Sequence, residues 1–260
     1  EKPDSHILRA LRILFKQDHF DLFINPVERR RKKLLLADMD STIINSETLD
    51  EVAGEAGMAC QVSEITRQAM EGEMDFETAL LARIKMLEGQ PEKLLTRVLK
   101  QIEFNPGAKL LVKTMRHYGA TTVLVTGGFS CFAKPVAGQA GFTAFVSNEL
   151  DIKNGKLTGK VKGNIIDKHG KLKALYEYAQ NKRIRPEEAV AIGDGSNDLP
   201  MLKTAGLGIG YYPKGIVSEE IDNLILYGDL TSALYAQGYT EHHIREAMAD
   251  SNDVFESRIG

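Results

Sequence analysis

Two aspartates, Asp38 and Asp40, stand two residues apart at the end of the apolar run Leu34–Ala37. If extended backbone persists past Ala37, period-2 geometry turns both carboxyls to the same side. Asp194 and Asp198 add two more acids within Gly193-Asp194-Gly195-Ser196-Asn197-Asp198. At an effective dielectric of about 20, each pair of bare charges about 4 Å apart costs roughly 4 kcal/mol. Such a cluster needs a proton or a cation. Carboxylates without Cys or His ligands favour a hard cation, and Mg²⁺ suits a site shared with phosphate. Mg²⁺ is the expected cofactor.

These acids need a frame, and the pattern around them supplies one. Three apolar runs end in loops with reactive side chains: Leu34–Ala37 before Asp38-Met39-Asp40, Thr122–Val125 before Thr126-Gly127-Gly128, and Ala189–Ile192 before Gly193-Asp194. Short runs of this kind fit strands buried on both faces. Between and around them lie helical patterns. Residues 5–20 carry apolar positions at helical spacing, and Glu47–Glu103 reads as helical with almost no strand signal. Within it Asp75 can cap a helix through Phe76, Leu80, Ile84 and Leu87, and Pro91 fits the start of another. Further helices are expected from Pro106-Gly107 to Gly119 and from about Lys171 to Gln180. Ala144–Ile152 and Lys156–Val161 flank Asn154-Gly155, a hairpin signal. Leu207–Ile209 and Leu224–Tyr227 are candidate outer strands.

This order predicts an α/β fold: a doubly wound, parallel, Rossmann-like core, a helical cap inserted after the first strand, and a small β-hairpin. In open parallel sheets, ligands bind beyond the carboxyl ends of the strands. Any one of the three loops alone reads as ordinary turn chemistry. Three at corresponding ends of one sheet point to a shared site.

Composition narrows the classes. The chain has 260 residues, 43% of them hydrophobic, and a formal net charge of −3. That is ample for one sizeable core plus an insertion, and it gives no basic face for nucleic acid. The one basic run, Arg29-Arg30-Arg31-Lys32-Lys33, reads as a solvated strand entrance. Cys60 and Cys131 form neither a disulfide framework nor a metal motif, and each is expected to be a buried free thiol. The six histidines show no ligand spacing. No apolar run approaches the length of a membrane span and no signal pattern opens the chain, so a cytoplasmic setting is the default. The chain begins at Glu1 rather than Met, as a processed or truncated chain would.

Asp38-Met39-Asp40-Ser41-Thr42 resembles the DxDxT signature of the haloacid dehalogenase superfamily. Thr126-Gly127-Gly128, Lys171 and Gly193–Asp198 are similar to its remaining motifs, in the same order. Glu47-Thr48-Leu49-Asp50-Glu51, Met70-Glu71-Gly72-Glu73-Met74-Asp75-Phe76-Glu77 and Gly193–Met201 narrow the resemblance to the phosphoserine phosphatase family over most of 32–230. The resemblance implies roles. Asp38 would be the nucleophile, giving an aspartyl-phosphate. Asp40 would act as acid and then base. Mg²⁺ would be held by the Asp38 carboxylate, the Asp40 main-chain carbonyl and Asp194. Thr126, Gly127, Gly128 and Lys171 would hold phosphate, with Asn197 and Asp198 orienting them from behind. The family usually has Ser where Thr126 stands, and Thr keeps the hydroxyl.

For the substrate, the resemblance implies that Glu47 binds the ammonium and Arg83 the carboxylate of phosphoserine, with Met70 and Phe76 walling the cavity. Arg83 also lies seven residues after Phe76 and four before Leu87, on the apolar stripe of its helix. Without the resemblance an arginine snorkelling from that stripe explains the position equally well. Lys168 and Lys173 read as solvated lysines. The implied organisation is a linker helix over 1–31, a core over 32–46 and 106–230, a cap over 47–105 and a C-terminal extension over 231–260, read as a peripheral helix and tail. Residues before Arg29 resemble the linker helix that follows a small regulatory-type domain in many bacterial members. The implied activity is hydrolysis of O-phosphoserine as the last step of serine biosynthesis. A small-molecule substrate is the only partner expected, without nucleic acid or membrane, for a monomer or homodimer. A phosphotransferase, or a phosphatase of another small phosphomonoester, is the near alternative. A phospho-aspartate signalling module is the alternative of another class, and Asp40 argues against it, since an acid–base beside the nucleophile shortens the life of the acyl-phosphate.

Overall fold

The computed structural model describes residues 5–70 and 74–256. At its centre is β1 (Leu34–Ala37), every residue of which is buried. β2 (Thr121–Phe129) and β5 (Ala189–Gly193) flank it in parallel register. Beyond β5 come β6 (Leu207–Tyr211) and β7 (Asn223–Ile225), also parallel. Beyond β2 lies β3 (Ala144–Lys153), which turns back into antiparallel β4 (Lys156–Lys162). The sheet order is β4-β3-β2-β1-β5-β6-β7. Asn154 and Gly155 make the turn with φ of 52° and 71°, the left-handed pair that a two-residue hairpin requires.

The two faces of the sheet explain why β1 is apolar throughout. Leu35 and Ala37 join one core with Leu111 and Val112 of α6 (Ala108–His117) and Phe132 and Val136 of α7 (Ser130–Ala140). Leu34 and Leu36 join another with Ala174 and Leu175 of α8 (Lys168–Asn181) and Met201 and Leu202 of α9 (Leu199–Thr204). Helices therefore cover both faces, as the βαβ order predicts. α10 (Ile216–Glu220) follows β6. No helix among the described residues is long and apolar enough to cross a membrane.

Between β1 and β2 run α2 (Thr48–Glu55), α3 (Ala59–Met70), α4 (Phe76–Met86) and α5 (Lys93–Gln101). Leu49, Val52, Leu80, Ile84, Leu95 and Val98 from these helices are buried in the same core as β1. The Asp75 carboxylate caps α4 by accepting the Thr78 N–H at 3.0 Å.

Four expectations need correction. α1 (Ser5–Lys16) stops short of residue 20, because His19 turns at φ 55° and the Asp18 and Phe20 amides fold back onto the Phe15 carbonyl. Cys60 is exposed on α3, where Val62 takes the buried face; Cys131 is half-buried, and burial pushes its thiol up to about 12. The basic run is exposed except at Lys32, yet it is not left without contacts. Arg31 stacks over Tyr239 at 4.6 Å and Tyr118 at 5.4 Å, Arg30 donates to the Ala236 and Tyr235 carbonyls, and Lys32 is buried with Nζ on the Glu187 carbonyl. Nor is the C-terminal segment peripheral. Ala233 and Leu234 of α11 (Ser232–Ala236), Tyr239, and Ile244 and Ala247 of α12 (Glu241–Glu256) are buried. Too few and too scattered to show periodicity, they pack on α6 and are held by the basic run.

Candidate active site

The loop leaving β1 makes the first wall. Asp38 leaves the sheet with its N–H still bonded to the Ile192 carbonyl of β5 at 2.9 Å. Its backbone stays extended, as does that of Asp40 (φ −67°, ψ 136°), and the chain then reverses at Ser41 with φ 56°. That reversal lets the Ser41 N–H reach the Ser46 carbonyl and closes a tight loop around Met39–Ile43.

Asp38 faces a buried cation. Lys171 Nζ lies 2.6 Å from Asp38 Oδ1 and 2.6 Å from Asp198 Oδ1, with no exposure of the lysine side chain. Lys171 is set there by α8, whose first turn is capped by Asp167 accepting the His169 and Gly170 amides at 2.9 Å. That cap starts α8 at Lys168, three residues before the sequence pattern does. Asp198 also accepts the Gly195 N–H at 3.1 Å, and a Cβ on Gly193 would collide with its carboxylate. The glycines of this loop are there for close approach. Asn197 lies in the same loop, where a Cβ on Gly195 would come within 2.6 Å of its Oδ1.

Asp40 faces the other way, toward β2 and the cap. Its Oδ1 accepts the Thr48 N–H at 2.7 Å, and its Oδ2 lies 3.4 Å from Thr126 Oγ1. Thr126 Oγ1 in turn accepts the Gly128 N–H at 2.8 Å. A Cβ on Gly128 would sit 2.8 Å from Asp40 Oδ2, and one on Gly127 would sit 2.7 Å from the Phe76 ring of α4. Both glycines are thus required by what lies above them. Asn148 of β3 fastens this stretch by donating to the Gly127 carbonyl at 2.7 Å.

Electrostatics shows a site short of positive charge. Asp38, Asp194 and Asp198 bring carboxylate oxygens within 4.8 Å of one another. Burial, then the charge of Asp198, holds the Asp38 carboxyl well above its ordinary range. Burial and Asp198 push Asp194 up to about 6, and burial and Glu47 push Asp40 up to about 7. Burial alone would lower Lys171, but Asp198 and Asp38 outweigh it and raise it. A set of hard oxygen donors this crowded, with raised carboxyl pKa values, fits a divalent cation. Of these three carboxylates, Asp198 already accepts from Lys171 and the Gly195 N–H at its two oxygens, so it stands behind Asp38 and Asp194.

Sequence reasoning missed Lys214. Its Nζ stands 3.0 Å from Asp194 Oδ2, 3.3 Å from Glu47 Oε1 and 3.4 Å from Ser41 Oγ, so it bridges the acidic cluster to the entrance of α2. A single lysine in Tyr211-Tyr212-Pro213-Lys214-Gly215 carries no local signal; only the position of its loop beyond β6, a fourth strand end at the same edge, could have found it. Thr42 was also passed over. Its hydroxyl is 3.3 Å from Asp194 Oδ1.

In the cap, Glu47 accepts the Ser41 hydroxyl at 2.7 Å and is about two-fifths exposed. Arg83 projects from α4 with its side chain 13% exposed, toward Asp50 at 3.5 Å and Thr66 Oγ1 at 3.3 Å. Asp50 feels both Arg83 and Glu47. Phe76 is half-buried over Gly127. Met70 ends α3, and its side chain lies outside the described residues, as do residues 71–73. Asp38, Asp40, Thr126, Gly127, Gly128, Lys171, Asp194, Asn197 and Asp198 therefore come together at the carboxyl edge of β1, β2 and β5, with Glu47 and Phe76 above them.

A family model described as haloacid dehalogenase-like hydrolase matches residues 35–203. The chain is 37% identical over 227 residues to the phosphoserine phosphatase of Archaeoglobus fulgidus, a span that is 86% of this chain and 66% of that protein. The chain thus spans just under two thirds of that relative's length. Among solved structures, a HAD family hydrolase from Salmonella enterica serovar Typhi is 34% identical with a TM-score of 0.85, covering 90% of this chain and 81% of that one. A phosphoserine phosphatase solved as a phospho-aspartyl intermediate analogue is 38% identical with a TM-score of 0.75, covering 79% of this chain and 98% of that one.

Proposed function

The chain belongs to the haloacid dehalogenase-like hydrolases, and we propose that within that family it hydrolyses O-phospho-L-serine to serine and inorganic phosphate. The observation that carries the reading is the division of the two loop aspartates. Burial raises both carboxyls, but Asp38 has an oxygen on the buried Lys171 ammonium, whereas Asp40, at about 7, faces the Thr48 N–H and the Thr126 hydroxyl. One is set up to attack and the other to carry a proton. The names of the relatives, phosphoserine phosphatases among them, support the substrate.

In the proposed sequence, an Asp38 carboxylate oxygen attacks phosphorus and forms an aspartyl-phosphate, while the bond from phosphorus to the serine oxygen breaks. The Asp40 carboxyl gives its proton to that departing oxygen. Water then attacks phosphorus, Asp40 takes its proton back from that water, and the bond to Asp38 breaks to release inorganic phosphate. Acid–base assistance of this kind is typically worth about 10²–10⁴-fold. Lys171, fixed by Asp198, places its charge beside the Asp38 oxygen and the transferring group. The Thr126 hydroxyl and the amides of Gly127 and Gly128 receive phosphate oxygens, and Asn197 orients them. Mg²⁺, held by Asp38, Asp194 and the Asp40 main-chain carbonyl, with Asp198 behind, would offset charge on the phosphoryl oxygens when bound.

Substrate choice is assigned to the cap. Glu47 takes the ammonium of phosphoserine in place of Lys214. Arg83, which without substrate rests on Asp50 and Thr66, takes the carboxylate as a bidentate pair. Phe76, over Gly127, keeps water from the phosphate cradle, and Met70 is assigned the same task. The test is release of inorganic phosphate from L-phosphoserine with Mg²⁺. Release by the wild type and none by Asp38→Asn supports the reading; no turnover by the wild type, or full activity in the variant, defeats it.

A further inference from the structure

The two connections between core and cap touch each other at the cap's base. The outgoing strand, residues 42–45, and the returning strand, residues 103–105, form a short antiparallel clasp. Ile44 and Phe104 pair across it, the Asn45 N–H donates to the Glu103 carbonyl at 3.1 Å, and the Asn105 N–H donates to the Ile43 carbonyl at 2.9 Å. Backbone pairing ends there. The Asn105 side chain continues it: Nδ2 donates to the Thr42 carbonyl at 2.8 Å and to the Ile44 carbonyl at 3.0 Å.

One carboxamide thus spends both its N–H bonds on the carbonyls that flank Ile43. Those carbonyls belong to the loop that also carries Asp38 and Asp40. Thr42, held from one side by Asn105, reaches Asp194 with its hydroxyl on the other. No neighbouring backbone amide is aligned to replace the pair of donors, since the Asn105 and Asn45 amides are already committed to Ile43 and Glu103.

We infer that Asn105 is a positioning residue: its carboxamide locks the loop 39–45 to the returning strand and so holds the backbone that carries Asp38 and Asp40 in place. The residue acts through the Thr42 and Ile44 carbonyls and touches no reacting atom. Its sequence context, Phe104-Asn105-Pro106-Gly107, reads as a plain turn. Pro106 offers no N–H of its own, which leaves the Asn105 side chain as the remaining donor at this end of the clasp.

The consequence for catalysis rests on the function proposed above, whereas the consequence for the loop does not, and the experiment separates them. Hydrogen exchange by mass spectrometry is measured on wild type, Asn105→Ala and Asn105→Asp without substrate. Asn105→Asp keeps the size but puts a carboxylate against two carbonyl oxygens. Peptides covering 39–47 are expected to exchange at least about tenfold faster in both variants, while peptides covering β5 keep their wild-type rates. Unchanged exchange in 39–47, or equal acceleration in β5, overturns the inference, the second because it marks a general loss of stability. In parallel, kcat for phosphoserine is expected to fall about tenfold with KM within about twofold, because Glu47 and Arg83 keep their places. A rise in KM with kcat intact also overturns it. If the wild type turns over a different phosphomonoester, the same kcat and KM split is read on that substrate. Failure of the substrate assignment then leaves the test of Asn105 standing.

Discussion

The backbone N–H of Thr48 donates to Asp40 Oδ1 at 2.7 Å, so the first residue of the first cap helix holds an aspartate of the core. A helix N-terminus favours the ionised carboxylate. Burial and the nearby Glu47 charge work against it and prevail, raising Asp40 to about 7.

That balance predicts a pH dependence. Donation to the leaving oxygen needs protonated Asp40, so the corresponding limb of kcat should fall as pH rises past about 7. Glu47→Gln removes the repelling charge, lets Asp40 ionise more easily and moves the limb to lower pH. Profiles of kcat from pH 5 to 9 at saturating Mg²⁺ check this. Superimposed profiles would remove Glu47 as the cause.

Among the described residues, Lys171 is the ammonium on two buried carboxylates, Asp38 and Asp198. Breaking a buried ionic group by removing one partner typically costs about 3–5 kcal/mol. Lys171→Met is expected to lose stability of that order in urea melts. Adding Asp198→Asn should recover part of it, because one stranded charge is gone. A double variant no more stable than the single one refutes this account.

Metal should stabilise the fold most at higher pH. Asp38, Asp40 and Asp194 are all raised, so between about pH 4 and 7 the native state holds more protons than the unfolded chain. Stability of the metal-free protein therefore falls as pH rises through that window. Mg²⁺ at about 100 times its Kd adds roughly 2.7 kcal/mol. Its effect on Tm is expected to be larger at pH 8 than at pH 5, where protons compete for the same oxygens, and to vanish with EDTA. A shift as large at pH 5 would count against carboxylate ligands.

Arg83 offers a test of specificity. Arg83→Ala should raise KM for phosphoserine by about 10–100-fold, the worth of one charge-assisted bidentate pair. Phosphoethanolamine has the ammonium and phosphate but no carboxylate, and its KM should not move. Equal losses for both substrates would assign Arg83 to holding Asp50 and Thr66 instead.

Much of this site could be read before any coordinates. β1, β2 and β5 are legible because both faces of the sheet are covered, which forces continuous apolar runs, and their ends are marked by glycines that something must approach. Asn154-Gly155 is legible because few residue pairs tolerate two successive positive φ values. What escaped has a common cause. Lys214 reaches Glu47 and Ser41, and Asn105 reaches Thr42 and Ile44, across more than 60 positions of the chain, and the tie of Arg30 and Arg31 to residues 235–239 spans some 200. Such contacts leave no periodicity. Exposure of Cys60 depended on which side of α3 the cap buries, and a lone thiol in a short helix does not reveal that.

The cap is moored a second time, far from its base. Gly89 and Glu92 donate to the Leu157 and Gly155 carbonyls, and the Leu157 N–H returns to the Gln90 carbonyl, so the turn between α4 and α5 is hydrogen-bonded to the β3–β4 hairpin. Gly159 meets Lys85 so closely that an added Cβ would stand 3.3 Å from its Cα. Cap and hairpin, far apart in sequence, are thus held to each other, while β3 stays paired with β2 in the core sheet. A graft of the cap onto another core, made to transplant specificity, would have to carry the hairpin along. Segment 47–105 alone would arrive with its outer edge unpaired.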